Sequence, residues 1–186
     1  MTQLPLIEYI KDVLKAEPSG WVLEDLSNRV RVAHFYNRPV AQADTYFTIG
    51  ISHYLLRLEG REETRQEMLL CAEGSDRVEN LVKFLSDFSD TLIKVHEALH
   101  ASQVVPISEP ILPNGLLKSV YVVAPERLGK CFAGLNQGYL GIEFVGLVPL
   151  YNSEAIYLKK VGPTRFETLF EAQGESFMDL ERDPWI

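Results

Sequence analysis

The stretch from Ile142 to Tyr151 constrains this chain more than any other part of it. It is almost wholly apolar and is bounded by Gly141 on one side and by Asn152 and Glu154 on the other. Successive side chains of a strand point to opposite faces, so a half-exposed strand alternates apolar and polar residues. A strand without that alternation has both faces covered. The segment therefore predicts a central strand between two packed layers, and the rest of the chain must cover both faces. With 186 residues, 46% of them hydrophobic, there is enough apolar material to do so. Asn152 is placed to cap a following helix, with Glu154 in its positively polarised first turn. Gly162 and Pro163 end that helix.

Other elements follow from period and punctuation. Leu6, Ile7, Ile10, Val13 and Leu14 recur at helical spacing, with Pro5 in the first turn and Pro18 to Gly20 as the stop. Asn28 to Tyr36 alternates as a strand with one wet face, and Asn37 to Pro39 turns the chain. Thr45 to Ser52 and Arg65 to Glu73 read as strands. The charged stretch Arg57 to Thr64, with Gly60, reads as their loop, and a helix over Glu59 to Met68 is the alternative. Val78, Leu81, Leu85, Phe88, Leu92, Val95 and Leu99 step by three and four as one apolar stripe, which predicts a long helix. Asp76 and Glu79 have capping-box spacing at its start. Pro106, Pro110 and Pro113 to Gly115 mark a loop with pieces of edge strand. Lys118 to Ala124 reads as a strand, the Gly-rich Gly129 to Gly141 as a loop, Phe166 to Ala172 as a short helix or strand, and Asp179 to Trp185 as a polar tail. The expected fold is α+β: a mixed, largely antiparallel sheet of about five to seven strands with helices packed on it. The expected organisation is one domain over residues 1–186, with residues 1–20 as a helix packed on it and 178–186 as the tail.

Charge and cysteine usage narrow the function classes. The net charge of −8 disfavours nucleic acid, whose phosphates need clustered Lys and Arg. It suits solubility or a basic protein partner. Cys71 and Cys131 are the only cysteines and form no C-x-x-C pair. They fit a reducing compartment. No signal-peptide pattern and no apolar run of membrane-spanning length is present, so the expected location is cytoplasmic, away from a membrane.

One string carries catalytic chemistry. On a helix, His96-Glu-Ala-Leu-His100 would place two imidazoles one turn apart, able to share a zinc ion, with Glu97 as the base that activates its water. The flanks fit poorly: Lys94 and Ser102 stand where zinc proteases usually carry uncharged and hydrophobic residues. Glu109, Glu126, Glu143 and Glu154 are the available third ligands. The structural alternative is a pair of histidines beside the apolar stripe near a helix C-terminus, where a cationic side chain suits the dipole. Ala124-Pro-Glu-Arg-Leu-Gly-Lys-Cys131 approaches a phosphate-binding loop, but Cys131 replaces the Ser or Thr that would hold magnesium. Gly134, Gly138 and Gly141 lack dinucleotide-binding spacing. Ser52 or Cys71 paired with a histidine has no local nucleophile signature. No cofactor is expected. Asp179 and Arg182 are spaced to bridge across a turn and pin the tail, or else to recognise a partner. Trp185 is a core plug or an interface anchor.

Five pieces in order resemble the suppressor-of-fused domain family, in its short bacterial form. Tyr46-Phe-Thr-Ile-Gly-Ile-Ser52 resembles the family's aromatic–x–T/S–x–G–x–S strand. Arg65-Gln-Glu-Met-Leu-Leu70 is similar to its R/F–x–E–L strand, with Glu67 at the acidic position. The Asp76 to Leu99 helix stands in the place of its long helix. Phe144-Val-Gly-Leu-Val-Pro-Leu150 with Glu154 resembles its F-L-x-L-V-P-L…E element. Phe177-Met-Asp-Leu-Glu-Arg182 is similar to its closing I-x-D-x-x-R. At His53 the chain departs from the family, which often carries an acidic residue there. The resemblance implies a mixed fold and a protein-binding role without catalytic residues. The expected function is non-catalytic protein binding, in particular neutralisation of a toxin, such as a basic one, by occlusion. His53, Asp179, Arg182 and Trp185 are the candidate partner-binding residues. The alternatives are a zinc-dependent hydrolase using His96, Glu97 and His100, and a general interaction module without a toxin.

Overall fold

The computed structural model describes residues 6–22, 30–58, 63–74, 77–137 and 139–186. Its elements are α1 (Leu6–Leu14), β1 (Gly20–Val22), β2 (Arg31–Phe35), β3 (Ala43–Ile49), β4 (Leu56–Arg57), β5 (Glu63–Glu73), α2 (Val78–Val95), β6 (Val104–Pro106), β7 (Leu117–Val123), β8 (Ile142–Tyr151), α3 (Asn152–Val161) and α4 (Pro163–Ala172). The strands run β1-β2-β3-β5-β8-β7-β6, with β4 paired to the start of β5. Among the described strands only β5 and β8 pair in parallel. All other pairings are antiparallel. This is the mixed α+β sheet expected from the sequence.

β8 has both faces covered, as its composition requires. Val145 and Leu147 enter a core formed with Leu81, Leu85, Phe88 and Leu92 of α2. Phe144, Val148 and Leu150 enter a second core with Ile10 and Leu14 of α1, Leu158 of α3, and Phe166 and Phe170 of α4. β5 divides in the same way, Met68 and Leu70 to the α2 side, Leu69 and Cys71 to the other. A Cβ at Gly146 would lie 2.8 Å from Leu128 Cδ1 and 2.9 Å from Val123 Cγ2. Glycine there lets Leu128 close over the strand.

Several boundaries differ from expectation. β3 ends at Ile49, and Ile51–His53 forms a 3-10 turn after Gly50, whose φ of 129° suits glycine. Residues 63 to 68 belong to β5, which excludes the helical alternative there; residues 59–62 lie outside the described part. Gly129 to Gly141 is largely 3-10 helix, Lys130–Gln137, with Phe132 and Leu135 fully buried against the α1 side. Phe166 to Ala172 is helical, and Gly162 and Pro163 join α3 to α4, Pro163 opening the second helix. Asn152 is the first residue of α3; its N-cap is Tyr151. The expected cap Asp76, Asn28 in the first strand, and Gly60 and Gly138 lie outside the described residues.

Candidate functional site

The HEALH string does not lie on a helix. α2 ends at Val95, and His96 adopts the left-handed conformation, φ 59° and ψ 34°, as its C-cap. The Arg57 N–H then donates to the His96 carbonyl, and the Ala98 N–H donates back to the Arg57 carbonyl. The segment thus becomes a short strand-like neighbour of β4, with a bridge between Arg57 and Glu97. The one-turn separation that two zinc-binding imidazoles need on a helix is not formed. Leu99 joins the core of the helical stripe from outside the helix. The Gln66 amide exchanges two hydrogen bonds with its backbone, Leu99 N–H to Oε1 at 2.8 Å and Nε2 to the Leu99 carbonyl at 2.7 Å. Among the described residues no group of three or more His, Cys, Asp or Glu side chains is arranged to hold a metal.

Two buried carboxylates organise the residues that the sequence singled out. The first is Glu67 on β5, fully buried. Its Oε1 accepts the Gly50 N–H at 2.8 Å, the Ser52 N–H at 3.1 Å and the Ser52 hydroxyl at 2.6 Å. Its Oε2 accepts the Thr48 hydroxyl at 2.7 Å. Thr48 in turn accepts the Met68 N–H at 2.8 Å, taking over at the point where the β3–β5 ladder stops. The threonine, glycine and serine of the β3 element are therefore donors for one acid. Burial raises the Glu67 carboxyl above its ordinary range, and the hydrogen bonds from Ser52, Gly50 and Thr48 oppose that rise.

The second is Glu154 in the first turn of α3, also fully buried. Arg182 reaches it with both guanidinium nitrogens, Nη1 to Oε1 at 2.6 Å and Nη2 to Oε2 at 2.9 Å. The backbone N–H of Tyr151 at 2.9 Å and of Trp185 at 2.9 Å complete its partners. Arg182 also donates to the Pro149 carbonyl of β8 at 3.1 Å, and Tyr151 donates its hydroxyl to the Arg182 carbonyl. The guanidinium lies 3.8 Å from the centre of the Trp185 ring, which packs near Phe166 and Phe170. The tail is pinned by a salt bridge, but from Arg182 to Glu154, 28 residues away, and not to Asp179. Asp179 instead accepts the Glu181 N–H at 2.8 Å in a local turn.

Of the candidate residues named from the sequence, the structure brings Arg182 and Trp185 together. His53 is exposed at the end of the 3-10 turn after β3, Arg182 is buried in the tail clasp, and Trp185 is half-buried beside it. Ser52 is occupied by Glu67. Cys71 and Cys131 are free thiols that burial pushes to higher pKa, the opposite of what a nucleophile requires. Sequence reasoning missed a buried pair: His34 Nε2 lies 2.9 Å from Asp44 Oδ2, with the Tyr46 ring stacked on the imidazole at 4.6 Å. Asp44 also accepts the Asn37 N–H, so the pair closes the β2–β3 hairpin. The alternation of β2 placed His34 on a strand; nothing local could link it to Asp44. No helix among the described residues is long and apolar enough to cross a membrane.

Comparison with known proteins identifies the fold and the family. No curated protein sequence matches the chain. Solved structures do. A SUFU (suppressor of fused protein) homologue from Neisseria gonorrhoeae superposes with a TM-score of 0.72 at 14% identity, over 96% of this chain and 93% of that one. A chain of the Sufu–Fu complex gives 0.70 at 13% identity, over 96% of this chain and 89% of that one. Drosophila Suppressor of Fused gives 0.71 at 12% identity, over 97% of this chain but 50% of its own. At these identities the likeness is one of fold. The family model for suppressor of fused protein (SUFU) matches residues 27–183. That span includes both buried carboxylates and their partners, except for the Trp185 amide, and the chain belongs to the SUFU family.

Proposed function

We propose that this chain is a non-catalytic protein-binding domain, and that its specific role is to neutralise a toxin by occluding it. The observation that carries this reading is what the fold does with the two acids that the family resemblance singled out. Glu67 and Glu154 each have both oxygens occupied by partners within the fold, which supports a scaffolding role for these two acids over a catalytic one. The match to a chain of a complex, Sufu with Fu, supports binding as the common activity of the scaffold. The net charge of −8 favours encounter with a partner of overall basic charge.

The test is reconstitution. Tagged full-length chain captures its partner from the native cell, and the two purified components are recombined. A stoichiometric complex supports the reading; failure to re-form one from pure components sinks it. Where a toxin gene neighbours this one, co-expression decides the specific role. Cells that die equally with and without this chain rule out immunity for that pair.

A further inference from the structure

The α3–α4 corner carries positive charge that no described residue pairs. Lys159 and Lys160 end α3, and Arg165 lies in the first turn of α4; all three are exposed. None has an ion-pair partner among the described residues. The acids of these two helices point elsewhere. Glu154 is buried against Arg182, and Glu167 and Glu171 are turned to Arg127.

The two lysines suit the negative end of the α3 dipole. Arg165 does not suit its place. It lies at the positive end of α4, whose first turn holds no acid, so the macrodipole disfavours it. A local rule broken without compensation inside the fold is a mark of function. Ile156 adds a second mark. It is 66% exposed, one helical turn before Lys159 and Lys160 and on the same face. Apolar surface beside unpaired cations, in a chain with an excess of acid, is complementary to an acidic segment carrying an apolar anchor.

We propose that the corner formed by Ile156, Lys159, Lys160 and Arg165 docks an acidic segment of a protein partner. The inference rests on the protein-binding reading and adds a surface and a chemistry to it. Net charge and contact charge act at different ranges. Beyond about 10 Å the field of the whole chain is screened at moderate salt, and pairing at the corner decides the contact.

The probe is a fluorescein-labelled amphipathic peptide of alternating Glu and Leu residues, titrated with full-length chain by anisotropy and mapped by amide NMR shifts. Shifts should concentrate at residues 156–165, and affinity should fall as salt rises. The variant K159Q/K160Q/R165Q should lose at least tenfold in affinity, about 1.4 kcal/mol. Ile156→Ser should lose severalfold, and the control K94Q/K118Q, which neutralises two exposed lysines elsewhere, should bind as wild type. Shifts centred elsewhere, or equal loss in the control, overturn the proposal. So does tighter corner binding of an oligothymidylate or of phosphatidylserine vesicles than of the peptide, or a concentration-dependent dimer abolished by the triple variant. A captured native partner that binds the triple variant as tightly as wild type overturns the corner while leaving the protein-binding reading intact.

Discussion

Replacing Glu67 by alanine removes the acceptor of four donors at once: the Gly50 and Ser52 amides and the Ser52 and Thr48 hydroxyls. A buried donor left without a partner costs about 1–3 kcal/mol. Water entering the vacated space recovers part of that, so the lower bound applies to each donor, for a loss of about 4 kcal/mol. Domains of this size have roughly 5–15 kcal/mol in total. With a urea slope of about 2 kcal/mol/M, the unfolding midpoint should fall by roughly 2 M. Glu67→Gln is the informative companion. Its oxygen can keep the three donors at the Oε1 position, and the Thr48 hydroxyl can turn to accept from the new amide, so the expected loss is only about 1 kcal/mol. The pH dependence separates charge from hydrogen bonding. Burial raises the Glu67 carboxyl above its usual 4.5, so at pH values between the unfolded-state and folded-state values the native state binds more protons than the unfolded state. The associated stability is fully present below the unfolded-state value and is lost as pH rises through the folded one. Glu67→Gln should flatten that segment of the stability profile. A Glu67→Ala midpoint within roughly 0.5 M of wild type, equivalent to about 1 kcal/mol, would refute the idea that this acid holds the β3–β5 junction together.

Other outcomes follow from the same structure. Arg182→Leu leaves Glu154 buried without its cation and should cost about 3–5 kcal/mol by chemical denaturation; replacing both partners by apolar residues should recover much of that loss. Gly146→Ala drives a methyl into Leu128 and Val123 and should destabilise by about 1–3 kcal/mol, read as a lowered Tm. His96→Gly relieves a left-handed residue at the end of α2 and should stabilise by about 0.5–1 kcal/mol, an outcome opposite to that expected for removing a metal ligand.

What could be read from the sequence depended on distance along the chain. β8 and its two-sided burial were legible because the signal is local and uninterrupted. The α2 stripe is legible through Leu92, but Val95 ends the helix without being buried and Leu99 continues the period past its end. Val95 is 53% exposed, and Leu99 reaches the same core as the stripe from beyond the helix end, with Gln66 pairing its backbone. Local periodicity cannot distinguish a stripe that ends from one imitated by a returning segment. The Gly129–Gly141 stretch reads as a loop because its glycines outweigh the three-residue spacing of Phe132 and Leu135, the available signal for the 3-10 helix found there. The resemblance points to Glu67 and Glu154, and the latter is also legible as a first-turn acid, but the partners of Glu67, 15–19 residues away, and the Arg182 and Trp185 partners of Glu154, 28–31 residues away, require the fold. Asn152 is a favourable cap by type, yet α3 starts one residue earlier than that cap implies, with Asn152 as its first residue and Tyr151, the last residue of β8, as its N-cap.

The central claim is that this scaffold binds protein and performs no chemistry on it. Calorimetric titration of purified chain with its captured partner tests this most directly when wild type is compared with the variant H96A/E97A/H100A. The expected result is one stoichiometric complex of unchanged affinity for both proteins, with the partner recovered intact. Zinc-dependent cleavage of the partner by wild type, abolished in the variant, would contradict it.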